Sequence, residues 1–171
     1  MVSIKDLYNP IKSELSAVDL CMADALQDTP VQGLQDISLY GLSKSGKKVR
    51  SALTILSYLA SISEDTPPRH SKEDMILIAS SLECIHLASL IHDDIIDDAE
   101  TRRGQQSIYS KYGANPALIS GVFIYSIALK LAISVGNLEV LNAISIAVKE
   151  LCEGEFSQSM DRYNFDLSQQ D

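Results

Sequence analysis

The sequence predicts an all-α fold, because apolar residues recur at intervals of three and four along most of the chain and nowhere alternate with polar ones for more than a few positions. Breaks fall between the periodic stretches: Thr29, Pro30 and Gly33 close the first, and Pro67 and Pro68 sit in a polar surface connection from Ser63 to Lys72. The first helix follows Asn9 and Pro10, with Ile11, Leu15, Val18, Met22 and Leu26 as its stripe. A short segment, Leu34 to Leu42, leads to the basic turn Lys44 to Arg50, after which Ser51 to Ile62 is apolar enough for a buried helix. A long helix is expected from about Lys72 to Asp98, then a loop with Arg102, Arg103 and Gly104, then another helix opened by Gly113 to Pro116. After Gly136 and Asn137 the last helix carries Val140, Ile144, Val148, Leu151 and Phe156, before a polar ending from Leu167 to Asp171.

A chain of 171 residues suits one compact domain, and 46% apolar with 22% charged residues is ordinary globular usage that excludes a disordered class. The net charge of −9 argues against a nucleic-acid surface and against docking on anionic lipid, and favours cations as small partners. Cys21, Cys84 and Cys152 share no CxxC spacing and lie in helical patterns, so they are expected to be buried, reduced thiols of a cytoplasmic protein. The opening residues are interrupted by charge, unlike a secretory leader. The most apolar stretch, Ala114 to Leu138, is broken by Lys130 before it reaches the roughly 18 to 20 residues a spanning helix needs. It is expected to be a core helix, without stable membrane insertion.

The segment from His92 to Gly104 is the most informative. Asp93 and Asp97 lie four apart, so on a helix their carboxylates project from one face, with Asp94 and Asp98 as a second such pair beside them. Like charges at this spacing repel, and the C-terminal end of a helix disfavours them further. Both penalties ask for a compensating cation, and oxygen-only ligands suit Mg²⁺, which takes one or two carboxylates together with phosphate oxygens. Arg102 and Arg103 follow at once, and their planar guanidinium forks match diphosphate oxygens.

The pattern Asp93-Asp94-x-x-Asp97 followed by Arg102-Arg103-Gly104 resembles the first aspartate-rich motif of the polyprenyl diphosphate synthases. Upstream, Ser45-Gly46-Lys47-Lys48-Val49-Arg50 resembles that family's Gly-Gly-Lys-Arg-Leu-Arg motif, and Glu83 to His92 its Glu-x-x-His lead-in. Downstream, Gly154, Glu155 and Gln158 resemble a helix facing the same cavity, so the likeness runs from about Ile11 to Arg162. The resemblance implies an isoprenoid-synthase-type helical bundle, of which residues 1–171 are the N-terminal half as one partial domain. It also implies Mg²⁺-dependent condensation of an allylic diphosphate with isopentenyl diphosphate, by a homodimer. Asp93, Asp94 and Asp97 would hold the metal against the allylic diphosphate, with Arg102 gripping the same group. Lys47, Arg50, His86 and Arg103 would hold isopentenyl diphosphate, and Gln158 would face the substrates. Ser89 and Ala88, with Ile85 a turn further, lie below the aspartates and are small enough near the metal for a product of geranylgeranyl length or longer.

Three departures stand out. A second aspartate-rich motif and a Lys-Thr pair do not occur in the 171 residues, so this chain by itself is expected to turn over little. Ser45 and Ser51 replace a glycine and a proline, and Val122 follows Gly121 where the family carries aspartate. Three other readings are a non-catalytic partner subunit of a heteromeric synthase, a terpene cyclase, and a helical scaffold with an incidental acidic patch. A cyclase needs no second diphosphate grip, and the absence of Trp leaves little aromatic surface for caging cations.

Overall fold

The computed structural model describes residue 6 and residues 8–44, 46–62 and 68–161. Expectations that fall on residues 1–5, on Ser45, on the connection 63–67 with Pro67, and on the ending 162–171 lie outside the described residues. A 3₁₀ turn, Asn9–Ile11, uses the fixed φ of Pro10 to start α1, Lys12–Gln27. There follow α2 (Gln32–Leu42), α3 (Val49–Ser61) and α4 (Lys72–Ile96). A two-residue-per-strand hairpin, β1 (Thr101–Arg102) with β2 (Gln105–Gln106), precedes α5 (Ile108–Tyr112), α6 (Ala114–Ser134) and α7 (Leu138–Asp161). The chain forms two compact units, one through Gly136 and one from Asn137 that contains α7.

In the first unit α4 is the axis, packed along α6 most extensively and flanked by α1 and α3. All five residues of the α1 stripe are buried, and each such side chain contributes about 1.5–3 kcal/mol by leaving water. The α4–α6 contact is built from small residues: Ala88, Ala117, Ala128 and Ala132 are fully buried, and Ser81 Oγ donates to the Ala128 carbonyl at 2.8 Å. Both helices are long and apolar enough to cross a membrane by length and composition. Each spends one face on the other. The outer face of α6 remains apolar, with Leu118, Ile119, Val122, Leu129 and Ile133 between 50% and 60% exposed. Ser71 starts α4 with a capping box, accepting from Asp74 N–H while its own N–H donates to the Asp74 carboxylate, both at 3.0 Å.

Several expectations are corrected here. The helix read as buried, α3, buries only Ser51, Ala52 and Ile55 and exposes Leu53, Leu56 and Leu59, because it meets the core by one stripe. Cys84 is buried, and burial pushes its thiol up to about 12, but Cys21 is half-buried and Cys152 is exposed. Phe156 on α7 is exposed. The loop at Arg102 to Gly104 is a hairpin turn, and α5 was not foreseen.

Candidate functional site

The long helix ends earlier than its sequence suggests. Asp97 is the C-cap of α4, Asp98 takes a left-handed φ of 50°, and Ala99 N–H donates to the Asp94 carbonyl at 2.9 Å. With Asp98 N–H directed to the Ile95 carbonyl, this is a Schellman ending with aspartate where glycine is usual. Consequently Asp94 and Asp98 do not form the stacked helical pair expected of them. Asp98 instead accepts a hydrogen bond from the Tyr109 hydroxyl at 2.8 Å. Asp93 and Asp97 keep their one-turn relation through the Asp97 N–H to Asp93 carbonyl bond of 2.8 Å, Asp93 half-buried and Asp97 exposed.

Asp94 has a different environment. It is 3% exposed, and its Oδ1 accepts from Arg102 Nε at 2.6 Å. One of the three carboxylates assigned to metal is thus committed to the arginine assigned to diphosphate, and the pair joins the acidic end of α4 to the hairpin. Among the described residues no three His, Cys, Asp or Glu side chains converge as a ready-made metal cage. The donor set present, the oxygens of Asp93 and Asp97 at a helix end, fits a hard cation that completes its shell with water and phosphate.

The hairpin turns at Arg103 and Gly104, directly after Arg102 at the end of β1. Arg103 and Gly104 both have positive φ, 53° and 76°, as a tight two-residue hairpin loop requires. Glycine accepts this freely, whereas Arg103 is strained and must be held by its surroundings. Its Nη1 donates to the Lys44 carbonyl at 2.9 Å. Lys44 Nζ in turn donates to the Gln106 carbonyl, which also accepts from Tyr40 OH at 2.9 Å. The Lys44 and Lys111 ammoniums each lie 3.7 Å from the centroid of the Tyr40 ring. Gly46 lies directly against the Arg103 guanidinium, close enough that a Cβ would overlap it.

Lys47, Lys48, Arg50, His86 and Arg103 border one open cleft, with Glu83 as its acid among the described residues. Lys48 pairs with Asp19, and Lys47 and Arg50 are exposed. His86 is half-buried; burial first, then the Arg50 guanidinium, hold its pKa below the ordinary 6.5, with Glu83 opposing them and Arg103 and Arg102 adding less. His86 and Asp93 share α4, about 10 Å apart along its axis at ~1.5 Å per residue. A basic cleft and an acidic helix end therefore adjoin on one helix.

The residues expected below the aspartates separate. Ala88 is fully buried in the core, while Ser89, whose hydroxyl donates to the His86 carbonyl at 2.9 Å, and Ile85 remain half-buried on the face that carries Asp93. Val122 is 58% exposed. Gln158, with Gly154 and Glu155, lies on α7 in the second unit and is exposed. Sequence reasoning did not single out Gly121, whose bare Cα lets His92 pack against α6; the His92 ring sits 6.0 Å from that of Tyr125. Glu83 it named only as the start of the Glu-x-x-His lead-in, without the role the structure shows: its Oε1 accepts from Ser51 N–H at 3.1 Å at the start of α3.

The polyprenyl synthetase family model matches residues 31–171. Component 2 of the heptaprenyl diphosphate synthase of Geobacillus stearothermophilus is 30% identical over 96% of this chain and 49% of its own. The octaprenyl diphosphate synthase of Escherichia coli (strain K12) is 30% identical over 92% of this chain and 48% of its own. Among solved structures, a polyprenyl synthase from Caulobacter crescentus CB15 superposes with a TM-score of 0.89 at 23% identity, covering 98% of this chain and 48% of that one. The heptaprenyl diphosphate synthase of Staphylococcus aureus gives 0.82 at 32% identity, covering 92% and 48%. The chain spans about half the length of the relatives it matches.

Proposed function

Since the chain belongs to the polyprenyl synthetase family, we propose that it is the substrate-gripping half of a prenyltransferase that joins an allylic diphosphate to isopentenyl diphosphate. The carrying observation is the adjacency on α4 of the cleft bordered by Lys47, Arg50, His86 and Arg103 and the acidic end at Asp93 and Asp97. Two diphosphates need two grips of different kind, and these supply one of each. In the basic cleft the guanidiniums and ammoniums neutralise a diphosphate directly, and half-buried His86 donates to it. At the acidic end, Asp93 and Asp97 would hold Mg²⁺, which when bound offsets the charge of the allylic diphosphate and of the leaving group. Arg102, oriented by Asp94, stands beside the group that departs. The chain thus supplies a preorganised positive site where negative charge develops during C–O cleavage. The double bond of the second substrate then attacks the allylic carbon, and loss of a proton completes the alkene.

The 171 residues carry one aspartate-rich cluster, so the reading is that they bind both diphosphates and turn over little by themselves. Half-buried Ser89 and Ile85 support a product of geranylgeranyl length or beyond, and product chromatography of the active enzyme returning only farnesyl diphosphate would refute that length. The apolar outer face of α6 supports a homodimer in which a second copy covers it. The name of the Geobacillus relative, a component of a synthase, favours one second reading, a subunit that works only with a different partner chain. Size-exclusion chromatography with and without a full-length synthase separates these. A cytoplasmic location belongs to the same proposal, from three cysteines without paired spacing. The direct test is calorimetric titration of the chain with geranyl diphosphate, with and without Mg²⁺. Metal-dependent binding that Asp93→Ala abolishes is expected; binding indifferent to both would overturn the assignment.

A further inference from the structure

A carboxylate is out of place in a cleft that takes diphosphate, since it repels the ligand, yet Glu83 lines this one and is only 7% exposed. The explanation lies at the start of α3. Its N-cap is Lys48, in a left-handed conformation with φ 51° and no side-chain cap, and its first intrahelical bond is Ala52 N–H to the Lys48 carbonyl. The N–H groups of Val49, Arg50 and Ser51 therefore precede any helical acceptor. Ser51 is fully buried, so its N–H is beyond the reach of water, and the acceptor it finds is Glu83 Oε1 on α4 at 3.1 Å. A carboxylate at a helix N-terminus is also favoured by the macrodipole. Glu83 thus pins the first turn of α3, which carries Arg50 and begins two residues after Lys47, to the α4 face on which His86 lies three residues further on.

We infer that Glu83 is a positioning residue of the diphosphate cleft, one that caps α3 from a neighbouring helix and so holds Arg50 and Lys47 across from His86. This rests on the reading that the cleft binds diphosphate. It differs in sign from a purely electrostatic role. If Glu83 acted through charge alone, its removal would relieve repulsion and tighten anion binding.

The test is calorimetric affinity for inorganic pyrophosphate, without added metal, on the parent chain and on Glu83→Gln and Glu83→Ala. Thermal midpoints are recorded alongside to establish that each is folded. Gln keeps an acceptor for the Ser51 N–H, and its affinity is expected within about threefold of the parent. Ala leaves a buried donor unpaired and is expected on the order of tenfold weaker. Parent-like or tighter binding by Glu83→Ala, or a loss in Glu83→Gln as large as that in Glu83→Ala, would overturn the inference while leaving the diphosphate reading intact. A parent chain that binds no pyrophosphate would overturn both.

Discussion

Replacing Gly46 by alanine should cost ligand affinity while leaving stability almost untouched. Gly46 is not in the left-handed region, so its backbone accepts a side chain, and the three atoms nearest the added Cβ all belong to the Arg103 guanidinium. That group is the end of a long flexible side chain and can swing aside, at the cost of its bond to the Lys44 carbonyl. For stability, the lost exposed hydrogen bond costs about 0.5–1 kcal/mol. Restricting the unfolded chain returns about 0.4–1 kcal/mol, so the net change should lie within about 0.5 kcal/mol. For binding, a charge-assisted bond to phosphate contributes about 1.5–3 kcal/mol. A displaced guanidinium forfeits about half of this, about 1–1.5 kcal/mol or roughly tenfold in affinity. Calorimetry with inorganic pyrophosphate and urea unfolding on the same samples give both numbers. Unchanged affinity would show that the placement of Arg103 does not matter to the cleft. A stability loss of about 2 kcal/mol or more would show that Gly46 is held by backbone geometry and not by its neighbour.

Two further consequences concern protons. Hydrogen bonds from Lys72 and Ser13 hold the Glu14 carboxyl down at about 2, against an ordinary 4.5, so this tie between α1 and the start of α4 stabilises the fold above pH 4.5 and is lost as pH falls toward 2. Lys72→Met should lower the thermal midpoint by a few degrees at pH 7 and flatten its decline across that window; an unchanged acid limb would count against the pairing. His86 titrates in the opposite sense to a stabilising histidine. Its pKa lies below 6.5 in the folded chain, so the unfolded chain binds the proton more readily and stability declines as pH falls below 6.5. His86→Gln should flatten that decline. In the parent, a diphosphate that offsets Arg50, Arg103 and Arg102 should raise the pKa and draw in a fraction of a proton near pH 6. Titrations in two buffers of different ionisation enthalpy detect this, and equal heats would refute it.

Local chemistry made much of this legible. The α1 stripe needs only helical spacing to reach the core, and Asp93 and Asp97 need only their four-residue separation to share a helix end. Capping, closure and pairing were less so. The α4 helix stops at Ile96 because Asp98 enters a left-handed Schellman ending, a choice that aspartate disfavours intrinsically and that the Tyr109 hydroxyl supports from α5. The face of α3 bearing Leu53 and Leu56 reads as core from its hydrophobicity, but burial depends on a neighbour being present. Cys152 lies outside for the same reason.

By itself the sequence determined the longer helices, the acidic and basic residue types, and the family motif, since each depends on spacing within one segment. Tertiary structure alone decided that Asp94 faces Arg102 and not solvent, that Gly46 makes room for Arg103, and that α3 takes its cap from Glu83 on α4. Each is a contact between segments 8 to 57 positions apart. Such contacts follow from how helices pack, and no periodicity along a single helix encodes which partner will arrive.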